Sequence, residues 1–197
     1  MELYDISQEV FSCCVFPGDP APKQNTVLSV KNGDVCNLTE FSMCAHNGTH
    51  VDAPYHFLSE GNTVDKLPLN KVFGTAYVFH GNGELGENEI REILHKAELA
   101  APECAKRILV GGKVTLTLEG AKVLTSMGVE LFGNESQSVG PENAPMAVHL
   151  ELLGSNVVLL EGIRLSHVPE GIYLLSAVPL NLGGCDGAPC RAILAKL

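Results

Sequence analysis

Residues 46–56 read HNGTHVDAPYH and place four metal-competent side chains, His46, His50, Asp52 and His56, within eleven positions. Three of the seven histidines of this 197-residue chain fall here, with a carboxylate among them. Neutral imidazole and carboxylate are the usual nitrogen and oxygen ligands of Zn²⁺, Mn²⁺ and Fe²⁺. On a helix, His46 and His50 would share a face, as in the HExxH metalloproteases. The intervening Asn47-Gly48-Thr49 argues against a helix, and no glutamate follows His46. The expectation is therefore a tight turn after His46 and an extended His50-Val51-Asp52, in which residues two apart share a face. Pro54 stiffens the exit, biases Ala53 towards extended backbone and carries His56 back over the same spot.

Outside this segment, His149 and Glu161 stand out. Glu161 ends the apolar run Val157-Val158-Leu159-Leu160. A carboxylate at the end of a buried strand is costly unless it is paired or bound to metal, so a salt-bridge partner and a ligand are both open readings. Cys44 lies close enough to His46 to be a ligand, but its imidazole and carboxylate neighbours favour harder donors. His80 reads as a strand-end residue, His95 as an exposed helical one, and His167 as a loop residue.

The elements that must position these groups follow from hydrophobic pattern. Strands are predicted over 2–7, 71–79, 107–110, 129–133, 157–161, 171–180 and 190–196. Residues 26–31 and 34–44 are expected to form a hairpin about Asn32-Gly33. Residues 86–97 read as a helix with Ile90, Ile93 and Leu94 inward. Thr117 reads as the N-cap of a second helix that Gly128 terminates. Strands alternating with helical segments predict an α/β arrangement in one domain over 1–197. Phe16-Pro17-Gly18-Asp19-Pro20-Ala21-Pro22 is a rigid, turn-rich loop. Gly183-Gly184-Cys185-Asp186-Gly187 lacks the Lys-Ser/Thr of a phosphate loop.

Composition narrows the function. Apolar residues make up 45% of the chain, enough for a sizeable core, and the net charge of −10 disfavours nucleic acid or an anionic membrane as partner. No run approaches the length of a membrane span, and the N-terminal residues lack a secretory pattern. The seven cysteines include no Cys-x-x-Cys pair and read as reduced thiols of a cytoplasmic protein.

The segment HNGTHVDAPYHF resembles the His-x-Gly-Thr-His-x-Asp-x-Pro-x-His-Phe signature of the cyclase-like metal-dependent hydrolases, which include bacterial kynurenine formamidases and isatin hydrolases. Tyr4-Asp5-Ile6-Ser7, Phe16-Pro17-Gly18-Asp19, the stretch 131–138, the His149/Glu161 spacing, Pro179-Leu180 and Ala188-Pro189-Cys190-Arg191-Ala192 resemble further family patterns in the same order. The resemblance implies a swivelling β/β/α fold with mixed sheets and flanking helices, assembled as a homodimer or homotetramer. It implies two divalent metal ions, zinc in first place and manganese as the alternative. His46, His50 and Asp52 would hold the first ion, and Asp52 would bridge to a second held by His149 and Glu161. His56 would be the acid/base. Phe16 matches a substrate-contacting position that is usually tryptophan in the formamidases, and this chain has no tryptophan.

The residues suit metal-assisted hydrolysis of an amide or formyl carbonyl, and the resemblance implies a small aryl formamide or cyclic amide as substrate. Two divalent ions lower the pKa of a shared water, and an imidazole with an ordinary pKa near 6.5 suits proton transfer. N-formylkynurenine, giving kynurenine and formate, is the best single substrate. A metal-dependent lyase or cyclase acting on a small carbonyl compound is one alternative, and a non-catalytic metal-binding protein of the same fold is another. No Gly-x-Ser-x-Gly elbow supports a serine hydrolase.

Overall fold

The run Arg107-Ile108-Leu109-Val110-Gly111 is buried at every position, the mark of a strand covered on both faces. Val158–Glu161 is buried throughout in the same way. Both lie inside one nine-stranded mixed sheet of the computed structural model, which describes residues 1–196. In chain order the elements are β1 (Glu2–Asp5), β2 (Lys23–Leu28), β3 (Leu38–Ser42), β4 (His50–Asp52), α1 (Leu69–Val72), β5 (Phe73–His80), β6 (Gly83–Leu85) and α2 (Glu87–Ala100). They continue with β7 (Arg107–Gly111), β8 (Val114–Leu116), α3 (Leu118–Ser126), β9 (Leu131–Asn134), α4 (Met146–Gly154), β10 (Val158–Glu161), β11 (Gly171–Ser176), β12 (Gly187–Pro189) and β13 (Ile193–Lys196).

The sheet order is β1-β13-β11-β5-β7-β9-β10-β4-β12. Its centre, β5-β7-β9-β10, is parallel, and antiparallel strands extend it on both sides. The pairs β2–β3 and β6–β8 stand outside this sheet.

Alternation along the central strands divides the core in two. Ile108, Val110, Phe132 and Leu159 pack under α2, α3 and α4 against Ile90, Ile93, Leu124, Leu152 and Leu153. Leu109, Leu131, Val158 and Leu160 face the other way. There they join Val51 of β4 and Tyr173, Leu175 and Leu194 of β11 and β13. Strands from opposite ends of the sheet order thus share one core, which requires the sheet to curl. This is the expected α/β architecture, a mixed sheet with flanking helices. No helix among the described residues is long and apolar enough to cross a membrane.

Several boundaries differ from the sequence expectation. The hairpin forms, but its strands end at Leu28 and begin again at Leu38; Asn32-Gly33 belongs to a short 3-10 turn with Gly33 at φ 93°. Thr117 does cap α3, accepting from the Gly120 N–H at 3.1 Å. Residue 129 closes that helix, its N–H reaching the Leu124 carbonyl at 3.1 Å, so β9 starts only at Leu131. β11 stops at Ser176, ahead of Pro179, which has no N–H for a ladder. Residues 146–154 form a helix that the pattern did not announce.

Candidate metal centre

The turn that carries His46 is held from several sides. The Asn47 N–H reaches the Cys44 carbonyl at 3.2 Å, and the Cys44 N–H reaches Asn47 Oδ1 at 2.8 Å. Gly48 has φ 65°, and a Cβ there would stand 3.0 Å from Cys13 Cβ, so the turn requires glycine. Thr49 Oγ1 donates to the Gly162 carbonyl at 2.8 Å, and Gln137 Nε2 donates to the Gly48 carbonyl at 3.0 Å. From this clamp the chain enters β4, which lies between β10 and β12. His50 and Asp52 project from one face of it, and Val51 goes to the core behind.

The expected side chains converge. His46 Nδ1 lies 2.8 Å from Asp52 Oδ1, and His50 Nε2 lies 3.4 Å from the same oxygen. The other carboxylate oxygen, Asp52 Oδ2, faces His149 Nε2 at 3.9 Å. Register places Glu161 of β10 opposite His50 of β4. Glu161 Oε2 lies 3.4 Å from His50 Nε2, and Oε1 lies 3.4 Å from His149 Nε2. Glu161 Oε1 also accepts the Val139 N–H at 2.7 Å. Ligand atoms of His46, His50 and Asp52 fall within 4.8 Å of one another, as do those of Asp52, His149 and Glu161. Asp52 belongs to both sets, with one oxygen towards each.

The rear nitrogens are anchored. His50 Nδ1 meets the Gly48 carbonyl at 3.0 Å, and His149 Nδ1 meets the Pro145 carbonyl one helical turn back at 2.9 Å. Because a carbonyl only accepts, each of these nitrogens carries a proton and each Nε2 points inward. His46 uses its ring the other way round, with Nδ1 inward and Nε2 2.9 Å from Asp186 Oδ2. His56, at the end of a 3-10 turn over Pro54–His56, stacks on His46 with ring centroids 4.0 Å apart. Its Nδ1 also meets Asp186 Oδ2, at 3.1 Å.

Burial and charge explain the electrostatics. His50 and Asp52 are fully buried. Burial alone would depress the His50 pKa, but the carboxylates of Asp52 and Glu161, each 3.4 Å from Nε2, outweigh it and hold His50 well above the ordinary value. Burial would raise Asp52, yet His46 and His50 hold it well below the carboxylate range. His46 and His149 are raised by their carboxylate partners in the same way, against the opposing effect of burial. Even so, His50 Nε2 and Asp52 Oδ2 are buried without a hydrogen-bond partner. Two orphaned ligand atoms facing one another's neighbours are what a cation between them would satisfy. The donor set of imidazoles and carboxylates fits a zinc-type or manganese-type ion.

The remaining candidates, Cys44 included, belong to none of these ligand groupings among the described residues. His80 Nε2 is taken up by the Val168 carbonyl at 2.7 Å, and His95 and His167 are exposed. Phe16 is half-buried in its loop, where its carbonyl accepts the Asp19 N–H at 3.0 Å. Asp186 is the residue that sequence reading missed. It sits in the glycine-rich segment before β12, whose register against β4, Gly187 opposite Asp52, delivers it to the site. A groove of about 870 Å³ between the β2–β3 hairpin and the body, near Phe11, Phe41 and Leu180, is lined by none of these cluster residues.

A curled mixed sheet that carries a shared-carboxylate histidine cluster on β4 and β10 defines a class, and comparison with known proteins agrees. The putative cyclase family model matches residues 4–141, and the chain belongs to that family. It is 34% identical over 210 residues to the kynurenine formamidase of Salinibacter ruber, covering 98% of this chain and 97% of the relative. A solved structure described as a potential metal-dependent hydrolase with cyclase activity superposes with a TM-score of 0.81 at 24% identity, covering 98% of this chain and 96% of that one. Isatin hydrolase A from Labrenzia aggregata, bound to benzyl benzoate, gives a TM-score of 0.81 at 20% identity over 98% of this chain and 93% of its own.

Proposed function

We propose that this chain is a metal-dependent amidohydrolase that cleaves a small aryl formamide, with N-formylkynurenine as substrate and kynurenine and formate as products. The observation that carries the reading is Asp52, whose two oxygens face two separate ligand sets while one of them lacks a hydrogen-bond partner. His46, His50 and Asp52 would hold one ion, and Asp52, His149 and Glu161 the other. Zinc suits this donor set first and manganese second. Bound there, divalent ions supply Lewis acidity, lowering the pKa of water and polarising a carbonyl.

The protein's own groups do the rest. His56 is anchored through Nδ1, which leaves Nε2 to exchange a proton. In hydrolysis the water oxygen bonds to the formyl carbon and the carbon–nitrogen bond breaks. His56 takes the water's proton and returns it to the leaving nitrogen, so charge balances over the cycle. Phe57 stacks on His149 at 4.5 Å and walls that side of the cluster with an apolar face.

Full-length likeness to a kynurenine formamidase supports the choice of substrate. We assign Phe16 a substrate contact, since its Pro-Gly-Asp-Pro loop is rigid and presents an aromatic ring. Phe16→Ala should raise KM several-fold for aryl formamides, and unchanged kinetics would remove it from the pocket. A homodimer is the expected assembly, supported by exposed apolar side chains Val27, Leu38 and Phe41 on the hairpin. Seven free thiols suit a cytoplasmic setting. The decisive experiment combines elemental analysis of the purified protein with N-formylkynurenine hydrolysis before and after chelation. Turnover that survives complete metal removal would reject the proposal.

A further inference from the structure

We propose that Asp186 is a positioning residue that holds His46 and His56 together, one carboxylate oxygen orienting both rings and setting the tautomer of His56. The inference rests on the two-ion hydrolytic reading above.

The geometry singles Asp186 out. His50 and His149 are each anchored by a backbone carbonyl, which serves one ring. His46 is anchored instead by a carboxylate, and the same atom, Asp186 Oδ2, serves His56. An ionised carboxylate accepts, so His46 carries a proton on Nε2 towards Asp186, and Nδ1, which faces the Asp52 carboxylate, is the nitrogen that would give up its proton to a cation. His56 likewise carries its proton on Nδ1 and keeps Nε2 for proton exchange. A ligand ring and an acid/base ring thus share one orienting group, and their stacking keeps them in register.

The loop that presents Asp186 is built to stay in place. Its carbonyl accepts the Ala53 N–H at 2.9 Å, and the Cys185 carbonyl accepts the Val64 N–H at 2.9 Å. The Gly184 N–H reaches Asp65 Oδ1 at 3.1 Å. The next residue, Gly187, leaves no room for a side chain, because a Cβ would stand 2.7 Å from His46 Cε1. The His46 ring therefore packs directly against the backbone that carries its anchor. Carboxylates behind metal-binding histidines fix ring orientation and raise ligand basicity, and their loss weakens metal affinity or activity about 10–100-fold.

The test uses the full chain with Asp186→Asn and Asp186→Glu. The Asp186 side chain is 40% exposed, so both substitutions are compatible with folding. Three quantities are read: Zn²⁺ affinity by competition with a chromophoric chelator, kcat and KM for N-formylkynurenine, and the histidine tautomers of the metal-free protein by ¹⁵N-edited NMR. Asp186→Asn should bind its first zinc about 10–100-fold more weakly and lose kcat on the same scale with KM little changed. His56 should leave the Nδ1–H form for the tautomer mixture of free imidazole, and Asp186→Glu should recover part of each effect. Wild-type zinc affinity with an unmoved His56 signal in Asp186→Asn would overturn the proposal. So would loss of a third zinc ion, which would make Asp186 a ligand with His46 and His56. His50→Ala separates the two levels of inference. Unaltered zinc binding in that variant would refute the two-ion reading, while the His56 tautomer signal still judges Asp186.

Discussion

The strand β4 and the hairpin β2–β3 are neighbours in the chain and opposites in environment. All three residues of β4 are buried, two of them ionisable. All five residues of β3 are exposed, including Leu38 and Phe41. By propensity, the hairpin, with its Thr, Val, Leu and Phe, is the better candidate for a covered strand. The number of sheet neighbours reverses that expectation. β4 is paired on both edges, by β10 and β12, whereas β2 and β3 pair only with each other. A short strand inserted between two others can bury a histidine and an aspartate because Glu161, His46 and His149 surround them. A longer hairpin without a covering layer keeps even its aromatic side chain in solvent.

If β4 is the chemical edge of the molecule, substitutions around it should act on turnover or metal first, and those in the hairpin on neither. The largest effect expected is from His56→Ala. It should lose about 10²–10⁴-fold in turnover while keeping its metal, the range for a well-placed general acid/base. Joint loss of metal and activity would make His56 a ligand and move the proton transfer elsewhere.

Glu161→Gln should follow, reducing bound metal towards one ion per chain by elemental analysis and depressing turnover. Wild-type stoichiometry in that variant would leave Glu161 as a salt-bridge partner of His50 and His149.

The third expectation concerns pH. His46, His50 and His149 are held above the ordinary 6.5, so their contribution to stability is complete below that value and is lost as pH rises through their folded-state values. Asp52 is held low, so its contribution is present above 3.8 and disappears only in stronger acid. The Tm of the metal-free protein should therefore fall as pH rises from about 6.5. Zinc-saturated protein should move the opposite way over that interval, because ligation needs deprotonated imidazole. Parallel curves in differential scanning calorimetry would show that zinc and these protons do not compete.

The smallest effect belongs to the hairpin connection. Val35 is 98% exposed, and Val35→Ser should change stability by no more than about 0.5 kcal/mol and leave metal content and kcat unchanged. Loss of metal in that variant would erase the distinction between the two regions.

Legibility in the sequence followed the distance over which each feature is encoded. His46, His50, Asp52 and His56 were readable because turn chemistry and strand alternation act over a few residues. β7 and β10 were readable because burial on both faces leaves an unbroken apolar run. Asp186 was not, since it reaches His56 across 130 positions and its segment shows only glycine-rich punctuation. α4 was hidden for a different reason: apolar residues occur around most of Met146–Gly154, so no polar face marks a helical period. β12, at three residues, is too short to show alternation.

The sheet order also sets a schedule for synthesis. β4 pairs with β10 and β12, both encoded more than a hundred residues later. At ribosomal rates of about 5–20 residues per second, the ligand strand waits on the order of 5–20 s before its first neighbour has been made. During that interval His46, His50 and Asp52 exist as a short solvated peptide with a turn already favoured between them. His46, His50 and Asp52 are therefore synthesised well before His149 and Glu161 exist. On the two-ion reading proposed above, the order of the strands would set the order in which the two positions can fill.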